Sequence, residues 1–369
     1  MNATTHATPT SDDIVSDRVL WIAAVTFRVC INSALSAGAF IANVINTIVF
    51  KRMGIDHATE SFFLLSLADG TLGFIGVFGG LSNGMRYLGP SQLASSAYPF
   101  YIVFLAAATV PSLTSLISTT VIAVLRCCSV AMPFRVRTVF TARRQRFFIL
   151  LCTVLSLAFL IYGLHGTSFA VRKHPQTNVT FLAIIFHPDY VERNRQADVY
   201  RGVMFYMCFT IVNVCLVVLI IALRRSYKFR KESYRAGTTT TTSSIRSDQT
   251  GSKNQTDPQT PNQTDPQSPT KREYSGRFKP GSKEAQVFTV VVLVSALFTI
   301  CNIPAMVASI LRQAVPGMNN VGRLRKSFDI SLITAECSLM FNAAMNIVIY
   351  LKFNSRYYAA FSEIMRRRK

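Results

Sequence analysis

Long apolar segments alternate with shorter polar ones along most of the 369-residue chain. Seven apolar segments are long enough to cross the hydrocarbon core of a bilayer, which is about 30 Å thick. They cover residues 28–50, 61–82, 98–125, 147–166, 201–223, 286–311 and 328–351. Because a helix satisfies its own backbone hydrogen bonds in lipid, this pattern predicts an all-α protein, a seven-transmembrane helix bundle.

The composition favours the same fold class. Half of the residues are hydrophobic and 15% are charged, whereas soluble domains have about 25% charged residues. The N-terminus is polar and acidic and lacks the features of a cleaved signal peptide, so we expect the first span to direct insertion. All eight cysteines lie in or at the ends of the spans, which predicts neither a disulfide framework nor a zinc site.

Lys and Arg residues are unevenly divided between the two sides of the predicted bundle. Of the 39 such residues, 12 fall on the side of the N-terminus and 27 on the other side. The 27 lie in residues 51–60, 126–146, 224–283 and 352–369. The side richer in Lys and Arg is normally cytosolic. A basic rim attracts anionic membrane lipids, so the net charge of +21 requires no nucleic acid partner.

This orientation divides the chain into an extracellular N-terminus (1–27), a seven-transmembrane domain (28–351) and a cytosolic tail (352–369). Within the domain, the polar third intracellular loop (225–283) is predicted to be disordered. The tail repeats apolar residues at helical spacing, which predicts an amphipathic eighth helix on the inner leaflet of the plasma membrane.

Four Asn residues stand in the acceptor pattern for N-linked sugar. Asn2 and Asn178 fall on the predicted extracellular side, and we expect both to be glycosylated. Asn254 and Asn262 begin the two copies of a repeated segment in the third intracellular loop, and we expect them to carry no sugar.

Three charged residues lie within or at the ends of spans, where charge is costly and usually functional. They are Asp69, Arg126 and Glu336. Asp69 and Arg126, together with Asn43, Pro133 and two further motifs, resemble the characteristic positions of rhodopsin-like (class A) G-protein-coupled receptors. The motifs are LSLAD at 65–69, Arg126 with Pro133, Phe298-x-x-Cys301-x-x-Pro304 and Asn346-x-x-x-Tyr350.

A closer resemblance is to the gastropod mollusc chemosensory receptors. It rests on SFFLLSLAD (61–69), on LRCCSVAMPFRVRTVFTARR (125–144) and on IVIYLKFNSRYYAAF (347–361). The resemblance implies a receptor that binds a small molecule or short peptide outside and activates a heterotrimeric G protein. Arrestin and kinases are further expected partners, at the third intracellular loop and the tail.

The resemblance also implies a sodium-binding polar core between the helices. Carried over by motif, its residues are Asp69, Ser115, Asn342 and Asn346, and Asn302 is placed to join them. Oxygen ligands around one carboxylate suit a hard cation. Sodium, held chiefly by Asp69 and Ser115, is thus the one bound ion that we expect, and we expect no other cofactor.

The resemblance further implies an activation switch at the cytosolic end. Its residues are Arg126, Phe298, Pro304, Tyr350 and an acid on the sixth helix, Glu284. We expect Arg126 and Glu284 to pair in the inactive state and to separate when the sixth helix moves outward.

The ligand is less well determined. The family's binding position implies a pocket lined by Ala108, Thr109, Ser112, Ala305, Ser309 and Glu336. Ala108 replaces the aspartate of amine receptors, which disfavours a monoamine. Glu336 either holds a cationic group of the ligand or is satisfied by neighbouring helices, while the positive outer surface favours an anionic ligand.

The family's outer disulfide is also missing, because Tyr101 stands where its third-helix cysteine would be.

Two functions of other classes are alternatives. A seven-helix ligand-gated cation channel would have the inverted topology, with sugar on Asn254 and Asn262. A secondary transporter would show two related halves, and no such repeat is present. The chain carries no hydrolase or ATPase motif, so we do not expect an enzyme.

Overall fold

The computed structural model describes residues 13, 15–56, 59–89, 91–131, 138, 140–173, 180–244, 283–318 and 323–367, with the backbone alone for 91–95, 131, 191, 226–244 and 283–287. Among these residues, seven helices are long and apolar enough to cross a membrane. They are α1 (Asp17–Met53), α2 (Glu60–Leu88), α3 (Ser91–Ala131), α4 (Ala142–Leu164), α5 (Tyr190–Ser244), α6 (Lys283–Ala314) and α7 (Arg325–Phe353). A short helix α8 (Ser355–Arg366) follows. The predicted seven-transmembrane helix bundle with an eighth helix is confirmed.

Two boundaries differ from those predicted. Helix α1 begins at Asp17, so part of the segment predicted as an extracellular N-terminus (1–27) is helical. Ser16 caps this end by accepting a hydrogen bond from the backbone N–H of Val19. The backbone of α5 is helical to Ser244, although we predicted a loop from residue 225. Arg and Lys, which are good helix formers, are frequent just beyond that residue.

Helix α1 contains a wide turn that brings a charged side chain into the bundle. Residues Ala24–Ile31 form a π-helical segment, and Arg28 within it is buried. Such segments are rare and often mark functional sites.

Glycines let α1 and α2 approach closely. A Cβ atom on Gly73 would lie 2.6 Å from the backbone nitrogen of Phe40 and 2.8 Å from the carbonyl oxygen of Ser36. Neither backbone atom could move away cheaply. Small residues serve this purpose in membrane bundles, where close packing replaces the hydrophobic effect as the force between helices.

Four aromatic side chains form a cluster at the end of the bundle where α8 lies. Phe50 of α1 lies with its ring centre 5.3 Å from those of Tyr350 and Tyr357, and Phe62 of α2 lies 5.7 Å from Tyr350. These three contacts are edge-on, an arrangement that aromatic rings favour. The cluster thus joins α1, α2, α7 and α8.

A β-hairpin lies between α4 and α5. Strands β1 (Thr167–Lys173) and β2 (Thr180–Phe186) are antiparallel, with Thr167 opposite Phe186 and Lys173 opposite Thr180. Strand β2 packs against α3. This hairpin was not among the predicted elements, although Thr180–Phe186 (TFLAIIF) is rich in the β-branched and aromatic residues typical of strands.

Candidate functional site

A polar core lies at the centre of the bundle, around the buried carboxylate of Asp69. Ser115 Oγ on α3 donates a hydrogen bond to Asp69 Oδ1 at 2.6 Å. Asn346 Nδ2 on α7 donates to Asp69 Oδ2 at 2.9 Å. The carboxylate therefore joins α2, α3 and α7, and both of its oxygens are satisfied.

The other two predicted members of the polar core are buried but are placed differently. Asn302 Nδ2 donates to the carbonyl oxygen of Phe298 on its own helix, at 2.8 Å. Asn342 is buried on α7, one turn before Asn346. Asn346 Oδ1 is itself buried and accepts no hydrogen bond from the described residues. A carboxylate beside an unpaired carbonyl oxygen is the type of donor set that a hard cation prefers, so these residues fit sodium.

A chain of hydrogen bonds connects α8, α1 and α7. Tyr357 Oη donates to Asn46 Oδ1 at 2.6 Å, and Asn46 Nδ2 donates to Asn43 Oδ1 at 3.0 Å. Asn43 Nδ2 in turn donates to the carbonyl oxygen of Ala343 at 2.9 Å. Burial raises the pKa of Tyr357, so its hydroxyl keeps the proton that it donates. Of these residues, Asn43 was predicted to be a family motif position, whereas the hydrogen-bonding roles of Asn46 and Tyr357 were not predicted.

The predicted switch residues lie at different depths of the bundle. Arg126 lies on α3 and is partly buried, whereas Phe298 and Tyr350 are buried. Pro304 lies inside α6, where it removes one backbone hydrogen bond. The side chain of Glu284 is outside the described residues, as is Pro133, so the Arg126–Glu284 pair stays a prediction.

An ion pair outside the predicted set joins the cytosolic ends of α2 and α4. Arg146 Nε and Nη2 donate to the two carboxylate oxygens of Glu60, at 2.6 and 2.9 Å. Beside it, Ser61 Oγ donates to Gln145 Oε1 at 2.7 Å. Glu60 is only 1% exposed, so its charge depends on this arginine.

Helix α8 is attached to the end of α1 by charged groups. Arg52 Nη2 donates to Glu363 Oε1 at 2.9 Å, and Arg356 donates to the carbonyl oxygen of Met53 at 2.8 Å. The hydrogen bond and charge of Arg52 lower the pKa of Glu363. These bonds fix the position of the amphipathic helix along the bundle.

Two cavities open toward the opposite end. The smaller one, of about 320 Å³, is lined by α1, α2, α3, α5 and α7, and the larger one, of about 820 Å³, by α5 and α6. Four of the six predicted pocket residues, Ala108, Thr109, Ser112 and Glu336, line the smaller cavity, and Ala305 and Ser309 line the larger. Arg201 and Phe205 line both, so these two side chains lie where the cavities adjoin.

Glu336 already has an ion-pair partner, which α1 supplies. Arg28 Nε and Nη2 donate to the two oxygens of Glu336 at 3.0 and 3.2 Å. Tyr101 Oη lies 3.4 Å from Glu336 Oε1. Of the two roles considered for this glutamate, satisfaction by neighbouring helices agrees with these contacts, and a role in holding a cationic ligand group stays a prediction.

Tyrosine rings and arginines surround Tyr101, the residue at the position of the family's cysteine. The guanidinium carbons of Arg28 and Arg86 lie 5.5 and 5.9 Å from its ring centre. Arg86 also lies 4.8 Å from the ring centre of Tyr98. Such contacts are attractive, and more so away from water. No two of the eight cysteines form a disulfide, and this cluster joins α1, α2, α3 and α7 instead.

At the larger cavity, one carboxylate faces two arginines. Asp198 forms ion pairs with Arg201 on its own helix and with Arg312 Nη2 of α6, the latter at 3.7 Å. Asn194 Nδ2 donates to Asp198 Oδ2 at 3.3 Å. Among the described residues, no group of three or more His, Cys, Asp or Glu side chains could hold a metal ion.

Comparison with known proteins identifies the family. No curated protein sequence matches the chain. The family model described as "7 transmembrane receptor (rhodopsin family)" matches residues 43–350, a range that covers most of the chain and contains the polar core and all five predicted switch residues. The chain therefore belongs to the rhodopsin family of seven-transmembrane receptors, which are non-enzymatic, G-protein-coupled signalling receptors of the plasma membrane.

Proposed function

We propose that this receptor is chemosensory and that it binds a small molecule or short peptide in the two adjoining cavities, from the extracellular side. The chemosensory role rests on the resemblance of residues 125–144 and 347–361 to gastropod mollusc chemosensory receptors. Binding shifts an equilibrium between inactive and active bundles, and the active one engages the heterotrimeric G protein.

The observation that carries this proposal is the position of the smaller cavity above the polar core. Leu72 and Ser112 line this cavity, and each lies three residues, or about one helical turn, from a member of the core, Asp69 or Ser115. A ligand that displaces α2, α3 or α7 therefore changes the geometry around Asp69. The proximity of the cavity to the polar core thus gives a short path by which a ligand can displace helices toward the cytosolic half.

The polar core is proposed to bind sodium in the inactive state. Asp69, Ser115 and Asn346 would supply oxygen atoms to the ion, which balances a charge otherwise isolated in the membrane.

At the cytosolic end, we propose that Arg126 and Glu284 separate as α6 moves outward, with Pro304 as the point at which the helix bends.

The proposed orientation places Asn2 and Asn178 outside, and Asn254 and Asn262 in the third intracellular loop. Mapping of N-linked sugars on the expressed chain tests it, by a gel shift on deglycosylation. The shift should disappear when Asn2 and Asn178 are both changed to Gln. It should persist when Asn254 and Asn262 are changed instead.

The two outcomes lead to different functions. Sugar on the first pair supports the receptor orientation, and G-protein activation is then measured with a panel of dissolved chemical stimuli. Sugar on the second pair means an inverted topology. It would contradict the proposal and favour the ligand-gated cation channel, for which membrane currents are recorded.

A further inference from the structure

We infer that the ligand of this receptor carries a carboxylate, which binds Arg201, and an apolar group, which fills the smaller cavity. This inference rests on the proposed function, because it names the chemical class of ligand for the same cavities. The distribution of charged side chains along the cavity walls supports it.

The smaller cavity has apolar walls and one available charge. Most of its lining side chains are aliphatic or aromatic, including Leu105, Phe104 and Met340. Of its two charged lining residues, Glu336 is bonded through both oxygens to Arg28. Arg201 is the other, and it stands where this cavity adjoins the larger one. An apolar cavity of this size with one polar anchor is typical of a small-molecule site.

The larger cavity has more positive than negative charge around Arg201. Arg201 and Arg312 share the carboxylate of Asp198. Two guanidinium groups thus face one carboxylate, and a second carboxylate can enter without leaving an unpaired negative charge. The planar fork of an arginine matches a carboxylate through two parallel hydrogen bonds.

The bond between Arg201 and Asp198 is of a kind that a ligand can replace. The two residues are three apart on one helix, and their side chains are 34% and 29% exposed. Partly exposed pairs at this spacing contribute little to stability. Asp198 has other partners in Arg312 and Asn194, so it does not become isolated when Arg201 turns to a ligand.

A cationic ligand fits less well. An ammonium group in the smaller cavity would have to displace Arg28 from Glu336, and Arg28 is only 5% exposed. That exchange would leave a buried guanidinium without its carboxylate, which is strongly unfavourable. The cavities therefore discriminate by charge, in favour of small amphipathic acids.

The test uses membranes that contain the full chain and a purified heterotrimeric G protein, with nucleotide exchange as the signal. The probes are hexanoate and 3-phenylpropanoate, their methyl esters, and the amines hexylamine and 3-phenylpropylamine. We expect activation by one or both acids at concentrations at least tenfold below those of the matched esters and amines. Thermal stabilisation of the purified receptor by the same acid should follow the same order.

Variants identify the anchor. Arg201→Gln should raise the half-maximal acid concentration at least tenfold, and Arg201→Lys should restore part of the response because it keeps the charge. Asp198→Asn should lower that concentration, since it removes the competing carboxylate. Arg193→Gln is the matched control, because Arg193 is on the same helix but pairs with Asp189 and lines neither cavity, and it should leave the response unchanged.

Several outcomes would overturn the inference. They are equal activation by esters or amines, no response or stabilisation with either acid, and an unchanged acid response in Arg201→Gln. Nucleotide exchange measured without any probe on the same membranes distinguishes a wrong ligand class from failure of the proposed function. If this basal exchange is present, the receptor couples to the G protein and only the ligand class is wrong. If exchange is absent both without a probe and with every probe, the proposed receptor function fails as well.

Discussion

Glu60 and Arg146 form a two-point ion pair whose members differ sharply in exposure: the glutamate side chain is 1% exposed and the arginine 53%. The carboxylate therefore relies on the arginine to balance its charge. Removal of one partner from a fully buried pair costs about 3–5 kcal/mol. Because this arginine is half exposed, its removal admits some water to the carboxylate, and we expect a smaller loss, about 1–2 kcal/mol.

This asymmetry predicts an order of stabilities. Arg146→Ala should lower the thermal unfolding temperature of the purified receptor more than the double change Glu60→Gln with Arg146→Ala, because the double change removes the isolated charge. Unfolding of both variants in the same detergent measures this order. A double variant less stable than the single one would contradict the prediction.

Sodium dependence tests the polar core. Sodium chloride should raise the unfolding temperature and lower the basal nucleotide exchange of the unmodified receptor, relative to choline chloride at equal ionic strength. Asp69→Asn should remove both effects, since it removes the charge that attracts the ion, and Ser115→Ala should weaken them. If sodium still acts on Asp69→Asn, the ion binds elsewhere.

The cluster at Tyr101 gives a prediction about the type of contact that joins the outer ends of the helices. Tyr101→Phe keeps the ring that faces Arg28 and Arg86 and should leave stability nearly unchanged, because its hydroxyl makes only a long contact with Glu336. Tyr101→Leu removes the ring and should cost about 1–2 kcal/mol. Equal losses in the two variants would mean that the hydroxyl, and not the ring, matters.

The position of α8 depends on the hydrogen bond between Tyr357 and Asn46. Tyr357→Phe removes this bond from a buried site and should cost about 1 kcal/mol. Amide hydrogen exchange in α8 should become faster. Tyr358→Phe is the matched control, since the adjacent tyrosine is 57% exposed, and exchange should be unaltered in that variant.

Basal signalling tests the proposed latch on α6. Glu284→Ala should raise ligand-independent nucleotide exchange, because Arg126 would lose the acid that holds it in the inactive state. Glu192→Gln, which changes an acid at the opposite end of the bundle, is the control. Basal exchange no higher in Glu284→Ala than in the control would place the latch on other residues.

The spans and much of the polar core could be predicted from the sequence, because both depend on local patterns. A segment of about 20 apolar residues has few alternatives to a membrane helix. An aspartate within such a segment is costly, so its presence alone indicates that polar partners are near. Ser115 and Asn346, which the family resemblance indicated as partners, both lie within hydrogen-bond distance of Asp69.

Pairs between distant segments could not be predicted in the same way. Arg28 and Glu336 are separated by 308 positions, and nothing in either segment indicates the other. The split of the predicted pocket into two cavities likewise depends on packing, which places Arg201 and Phe205 between them.

The arginine–tyrosine cluster at Tyr101 has one further consequence. A disulfide holds two segments through a covalent bond, whereas the cluster at Tyr101 holds them through contacts between guanidinium groups, rings and a carboxylate. No cysteine takes part in these contacts. The attachment of α1, α2, α3 and α7 at this end of the bundle is therefore independent of redox conditions, which the attachment by a disulfide is not.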